Sequence, residues 1–219
     1  MKMCSTYINL NQMEDITENI LKKSGIPHTW QGSITKIDID AIIEFDYDLD
    51  ISWENIDHFA KDGVVLAAII PQTKQIYLNI SQEKLFKEKM GTMNFSKAHE
   101  LGHWILHITQ QKNYEQLSFI ESDHYFCRSS ATRRPEEIQA DMFASSILMP
   151  RGIISGAIEE LKNNKSIDWH DLYEMKDAFE VSISALTTRL KQLKLIYIDE
   201  KNKKIYSSEE AAKGFISMF

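Results

Sequence analysis

Between Asn94 and Ile108 the chain reads NFSKAHELGHWILHI, a stretch without proline whose apolar residues fall on most faces of a helix. Phe95, Ala98, Leu101, Trp104 and Ile105 predict a buried helix, with Asn94 or Ser96 available as its N-cap. Within it lie His99, Glu100 and His103. Residues four apart on a helix share a face one turn apart, so the two imidazoles can address one cation. Glu100 sits about a hundred degrees further round the helix and is placed for a water on that cation rather than for the cation itself. Two imidazoles and a carboxylate buried together are costly without a partner, and a metal ion supplies one. Ordinary His and Glu frequencies would give this pattern by chance in a chain of this length on the order of once in a hundred. The competing reading, an exposed helix with two satisfied histidines, is disfavoured by the apolar neighbours.

Hydrolytic zinc sites take three protein ligands and a water, so a third ligand is expected from elsewhere. The candidate is Glu137 in EIQAD, on a helix that Pro135 opens and Met149-Pro150 ends. Asp141, one turn later on the same face, is placed to accept the distal N–H of a ligand histidine. An acidic first turn formed by Glu136 and Glu137 also serves helix stability alone, and that reading stays open. Gln110 to Arg134 is polar and irregular, long enough to be a functional loop. Its His124 and Tyr125, with Tyr114 behind them, are candidate donors to an oxyanion, although loop residues of these types are more often solvated or packed. His107 continues the ligand face past His103. A fourth ligand there would close the position that hydrolysis needs, so His107 reads as a support for the ligands or as packing. His28, His58 and His170 stand alone and read as structural.

Hydrophobic residues at 43% and charged residues at 26% fit a folded globular chain. No window approaches the roughly 20 apolar residues of a membrane span, and the opening residues lack a signal-peptide pattern, so a cytoplasmic protein is expected. Cys4 and Cys127, far apart and outside any paired spacing, read as free thiols of a reducing compartment. A net charge of −7 argues against a chain whose main task is gripping nucleic acid.

Residues 12–23 predict an amphipathic helix stopped at Gly25, and a second short helix is expected over 37–45. Asp46 to Asp50 reads as a solvated turn, since it lacks the glycine and terminal glutamate of a calcium loop. GVVLAAII (63–70) and QIYLNI (75–80) predict a β-hairpin, which can be core sheet, can supply an edge strand where an extended peptide adds, or can do both. Further helices are expected from Arg151 to about Lys162, from Trp169 to Phe179 and from Ile183 to Leu193, followed by two short strands in LIYIDEKNKKIYSS. That is the element order of a winged helix. In the last helix Ile183, Leu186, Leu190 and Leu193 form an apolar stripe, leaving Thr187, Thr188, Arg189 and Lys191 outward. It can be a recognition helix for DNA, or a helix packed on the core or on a protein partner. Nine acidic against eight basic residues in 166–219 favour the second. The expected fold is α+β, mainly helical with a small antiparallel sheet. It divides into an N-terminal helical region (1–55), a core carrying the metal motif (56–165) and a helix-turn-helix, wing-like segment (166–219).

HELGHWILH followed by EEIQADMFASSILMP resembles the ImmA/IrrE family of metallopeptidases, whose pattern is a HExxH helix and then ExxA(D/N)xFAxxLLMP. The similarity covers roughly residues 60 to 152. It departs at Ser145-Ser146-Ile147-Leu148, where small residues and two leucines are usual, which leaves the ligands untouched. The resemblance implies a zincin-like, thermolysin-like core with His99 and His103 as ligands, Glu100 as catalytic carboxylate and Glu137 as third ligand. It also implies an intracellular zinc peptidase, often carried by mobile elements or used in stress responses, whose protein substrate is a helix-turn-helix repressor. Manganese or another divalent ion can occupy the same ligands. Two rival readings remain: a DNA- or repressor-binding module that keeps a metal site without turnover, and a metal-stabilised structural protein.

Overall fold

The computed structural model describes residues 7–59, 64–109 and 134–214, together with the backbone of residues 118–121. Cys4, Tyr114, His124, Tyr125 and Cys127 lie outside the described residues. Helix α1 (Leu10–Lys23) opens on a capping box: Asn9 accepts from the Gln12 N–H and Gln12 from the Asn9 N–H, both at 3.0 Å. Short α2 (Ile39–Ala41) runs into a π-helical turn over Ile42–Asp46 and occupies the expected second helix. The acidic stretch that follows is a turn, with Asp48 at φ 54 and paired to Lys74 at 2.8 Å. It ends by entering strand β1 (Asp50–Glu54), a strand not among the sequence expectations although DISWE alternates polar and apolar residues.

The hairpin forms as expected, from β2 (Val65–Ile70) and β3 (Gln75–Asn79), but it does not supply the sheet edge. The order is β1-β3-β2-β4, with β4 (Ser118–Glu121) lying inside the stretch read as irregular. Both hairpin strands are therefore internal, and β1 and β4 are the edges. Nor is the sheet wholly antiparallel: β1 runs parallel to β3, while β2 is antiparallel to β3 and β4.

After α3 (Glu83–Glu88) comes α4 (Met90–His103), which continues into a π-helical turn over Trp104–Ile108. Its start corrects the expected N-cap, because Asn94 and Ser96 lie inside the helix. Ser96 donates to the Thr92 carbonyl at 3.0 Å, and the Asn94 amide donates to the Glu180 carbonyl at 3.3 Å, so their polarity serves helix-internal and tertiary bonds instead. Helix α5 (Pro135–Leu148) has Pro135 in its first turn. It is followed by α6 (Arg151–Asn164), α7 (Trp169–Phe179), α8 (Ile183–Gln192), a hairpin of β5 (Tyr197–Ile198) and β6 (Ile205–Tyr206), and α9 (Glu209–Ala212).

Helix α4 packs against β2 and along α5. The approach to α5 is close: a Cβ on Gly102 would stand 3.1 Å from the Phe143 ring. One core cluster runs from Met13 on α1 through Leu101, Phe143 and Ile147 to Leu186 and Leu190 on α8 and Ile198 on β5. Arg189, expected outward, is instead 0% exposed. Its guanidinium binds both oxygens of the equally buried Glu14 at 2.5 and 2.7 Å and donates to the Met149 carbonyl and Ser146 hydroxyl, joining α1, α5 and α8. A charge on the apolar side of the stripe is tolerated because every donor has an acceptor.

Candidate metal centre

Helices α4 and α5 each bring acid-base groups to one point. The four-residue spacing stacks His99 and His103 on the face of α4 turned to α5, and Pro135 starts α5 so that Glu137 falls in its first turn, opposite them. The two Nε2 atoms are 2.9 Å apart; Glu137 lies 3.4 Å from His99 Nε2 through one oxygen and 3.7 Å from His103 Nε2 through the other. These three form the one cluster of metal-binding geometry among the described residues. His99 and His103 are 1% and 3% exposed, so the donors are withdrawn from water.

The dimensions suit a small tetrahedral cation. Ligand bonds of ~2.0–2.1 Å at tetrahedral angles place donor atoms roughly 3.3 Å apart, a value bracketed by the three separations here. The donor set of two imidazole nitrogens and one carboxylate is the chemistry zinc prefers in sites that keep a position open. Asp141 follows one turn after Glu137 and meets His99 Nδ1 at 2.8 Å. That bond fixes Nδ1 as the protonated nitrogen and turns Nε2 toward the cluster.

Electrostatics follow from this packing. Burial pulls the His99 imidazole down, but hydrogen bonds to Asp141 and Glu137 and the nearby charge of Glu100 overcome it and raise the pKa to about 10. For His103 burial wins over its contact with Glu137, aided by the neighbouring His99, and the value falls to about 4. Burial also pushes Glu137 upward, yet its bonds to His103 and His99 hold it well below the usual carboxylate range.

Glu100 is fully buried next to this cluster but outside it. Its Oε2 accepts from the Ile69 backbone N–H at 2.9 Å, so β2 holds the carboxylate. His107 lies a turn beyond His103, its ring 5.5 Å from that of His103, and Nε2 meets the Glu136 carbonyl at 3.3 Å. It links the π-helical turn to the start of α5 rather than joining the three donors. Two contacts were not expected from the sequence. Arg134 reaches Glu137 at 3.2 Å, a pair that its i,i+3 spacing could have suggested, whereas the Ile69 amide has no side-chain signature. His28, His58 and His170 take no part in the cluster.

Residues 48–191, more than half of the chain, match the family model described as the IrrE N-terminal-like domain, Peptidase_M78. No curated protein matches the chain. Among solved structures, a Mycobacterium tuberculosis transcriptional regulator is similar with a TM-score of 0.54 at 15% identity, over 91% of this chain and 50% of that one. The chain thus spans half the length of that protein, and at this identity the likeness bears on the fold alone.

Proposed function

The chain belongs to the IrrE N-terminal-like (Peptidase_M78) family, and on that premise we propose that it is a zinc-dependent endopeptidase acting on a protein substrate, a helix-turn-helix repressor or antitoxin-like regulator. The observation that carries this reading is the convergence of His99, His103 and Glu137 within ligand distance of one another, beside a buried carboxylate that is not one of them. Among the described residues no fourth ligand side chain joins the three, whereas a site that only stabilised the fold would close its coordination with one.

In this reading His99, His103 and Glu137 hold the metal, and Asp141 keeps His99 in the tautomer that presents Nε2. Zinc, when bound, supplies Lewis acidity that polarises a scissile carbonyl and acidifies water. Glu100, steadied by the Ile69 amide, takes the proton of the attacking water and returns it to the leaving amine. The free side of β4 is the edge nearest to β2, and an extended substrate adding there would be separated by β4 alone from the strand that orients Glu100. His124 and Tyr125 remain our candidates for oxyanion donors. We keep the division into residues 1–55, 56–165 and 166–219 as a functional one, with a winged-helix-like last segment serving protein contacts. The burial of Arg189, which removes a cation from its outward face, supports that over DNA reading.

The second reading, a DNA- or repressor-binding module without turnover, draws on the structural neighbour, which is described as a transcriptional regulator. In both readings the working place is the cytoplasm; no helix among the described residues is long and apolar enough to cross a membrane. The test is incubation of the zinc-loaded protein with helix-turn-helix regulators of its own host, followed by mass spectrometry. Cleavage by wild type and none by Glu100→Gln of equal metal content is expected. An intact regulator, together with a DNA shift that weakens steeply with salt, would favour the second reading.

A further inference from the structure

Between α6 and α7, on a part of the molecule the metal centre does not use, runs an open trough of about 280 Å³. Helix α6 lines it with Ala157, Glu160, Leu161 and Asn164, and α7 with Asp171, Glu174, Met175 and Ala178. Each set is spaced i, i+3, i+4, i+7, so one whole face of each helix is turned to the trough. The wall is completed by Trp30 and Ile34. Trp30 is fixed there: its indole N–H donates to Glu160 at 3.0 Å, and a Cβ on Gly156 would fall 2.2 Å from the Trp30 Cβ, so the side chain lies directly on the α6 backbone. A parallel bridge between Thr29 and Gly152 lays the preceding residues along the same helix. The shape is therefore built into the fold.

Its chemistry is one-sided. Ala157, Leu161, Met175 and Ala178 give an apolar floor, while the lining includes three carboxylates and no lysine or arginine. Asp171 is buried and answered by Lys165 at 2.5 Å. The net negative charge rests on Glu160 and Glu174, both exposed at the rim. The volume lies at the bottom edge of the roughly 300–1,000 Å³ of small-molecule and cofactor sites, and is enough for one or two apolar side chains carried by a polypeptide. An apolar floor between two helix faces is the setting for a third helix, and carboxylates along its rim are the complement of cations flanking an apolar anchor.

We propose that this trough docks a basic amphipathic helix of a protein partner, its apolar side chains over Leu161 and Met175 and its lysines or arginines against Glu160 and Glu174. The inference stands without peptidase activity and is tested apart from it. The probe is a fluorescein-labelled amphipathic helical peptide of leucine and lysine, read by anisotropy on the full chain. Beside it run the same peptide with every lysine replaced by glutamate, and a lysine–serine peptide without leucine. The leucine–lysine peptide is expected to bind at least about tenfold tighter than either control. Ala178→Phe, at an exposed position and without change of charge, fills the trough and is expected to weaken binding about tenfold, with an unchanged circular dichroism spectrum. Glu174→Lys is expected to weaken the lysine peptide and strengthen the glutamate one. Failure of the leucine–lysine peptide to bind, or equal affinity for wild type and Ala178→Phe, overturns the proposal, the latter by reducing the binding to general attraction toward a chain of net charge −7.

Discussion

At His99, burial and hydrogen bonding pull in opposite directions. Burial favours the neutral ring, while Asp141 and Glu137 favour the cation and carry the pKa to about 10; His103, one turn on, goes the other way to about 4. Metal-stripped protein near neutral pH therefore carries one positive charge on this pair, on His99, and a metal must displace the Nε2 proton of that ring to bind. Because the folded value of His99 lies above its unfolded 6.5, its contribution to the stability of the metal-free fold is complete below pH 6.5 and is lost as pH rises through about 10. His103 has the opposite sign and weakens the metal-free fold as pH falls from 6.5 through about 4. Imidazole titration by NMR on stripped protein should find His99 still protonated at pH 8; a midpoint near 6.5 would contradict the packing described. In the proposed mechanism Glu100→Gln keeps the ligands and removes the proton acceptor, so zinc content should stay at wild-type level while cleavage falls about 10²–10⁴-fold. A variant that loses zinc would instead place Glu100 among the ligands. His99, Glu100 and His103 were legible in the sequence because a spacing of four fixes a shared helical face whatever the tertiary fold. The Ile69 amide that holds Glu100 was not, since a backbone donor belongs to every residue type.

At the scale of elements, the site exists because α4 and α5 can lie close together. Gly102 permits this, its missing Cβ leaving room for the Phe143 ring. Gly102→Val should cost about 1–3 kcal/mol through overpacking. Because it pushes apart the two helices that carry the donors, it should also lower zinc affinity, measured by competition with a chelating dye. Unchanged affinity at reduced stability would mean that the helices adjust without disturbing the donors. Helix α5 was legible end to end, from Pro135 to Met149-Pro150, because both boundaries are written in proline. The start of α4 was misread, for Asn94 and Ser96 look like caps only until their tertiary and back-bonding partners are known. The sheet edges were missed for another reason: DISWE alternates as a strand should, but nothing local to it says that it pairs in parallel with β3 and so makes the hairpin internal.

Across the whole molecule, the first and last large helices are tied through Arg189 and Glu14, 175 residues apart in sequence and both buried. Arg189→Ala would leave a carboxylate buried and unanswered, and urea denaturation should register a loss of about 3–5 kcal/mol. Replacing both partners, Glu14→Leu with Arg189→Met, should recover most of it. Equal losses in the single and double variants would show that the pair itself, not the stranded charge, carries the stability. The sequence placed Arg189 outward because its stripe was complete without it; only the partner on α1 explains why it turns in. The order of helices and strands from Arg151 to Tyr206 was nevertheless readable from periodicity, whereas the short α9 was not expected. The central claim is that His99, His103 and Glu137 hold one zinc ion. Anomalous diffraction at the zinc edge from crystals of zinc-loaded protein tests it most directly. The account predicts a single peak about 2.0–2.2 Å from both Nε2 atoms and from a Glu137 oxygen, with Glu100 outside bonding distance; a peak lying elsewhere, or one that Glu137 does not reach, would contradict it.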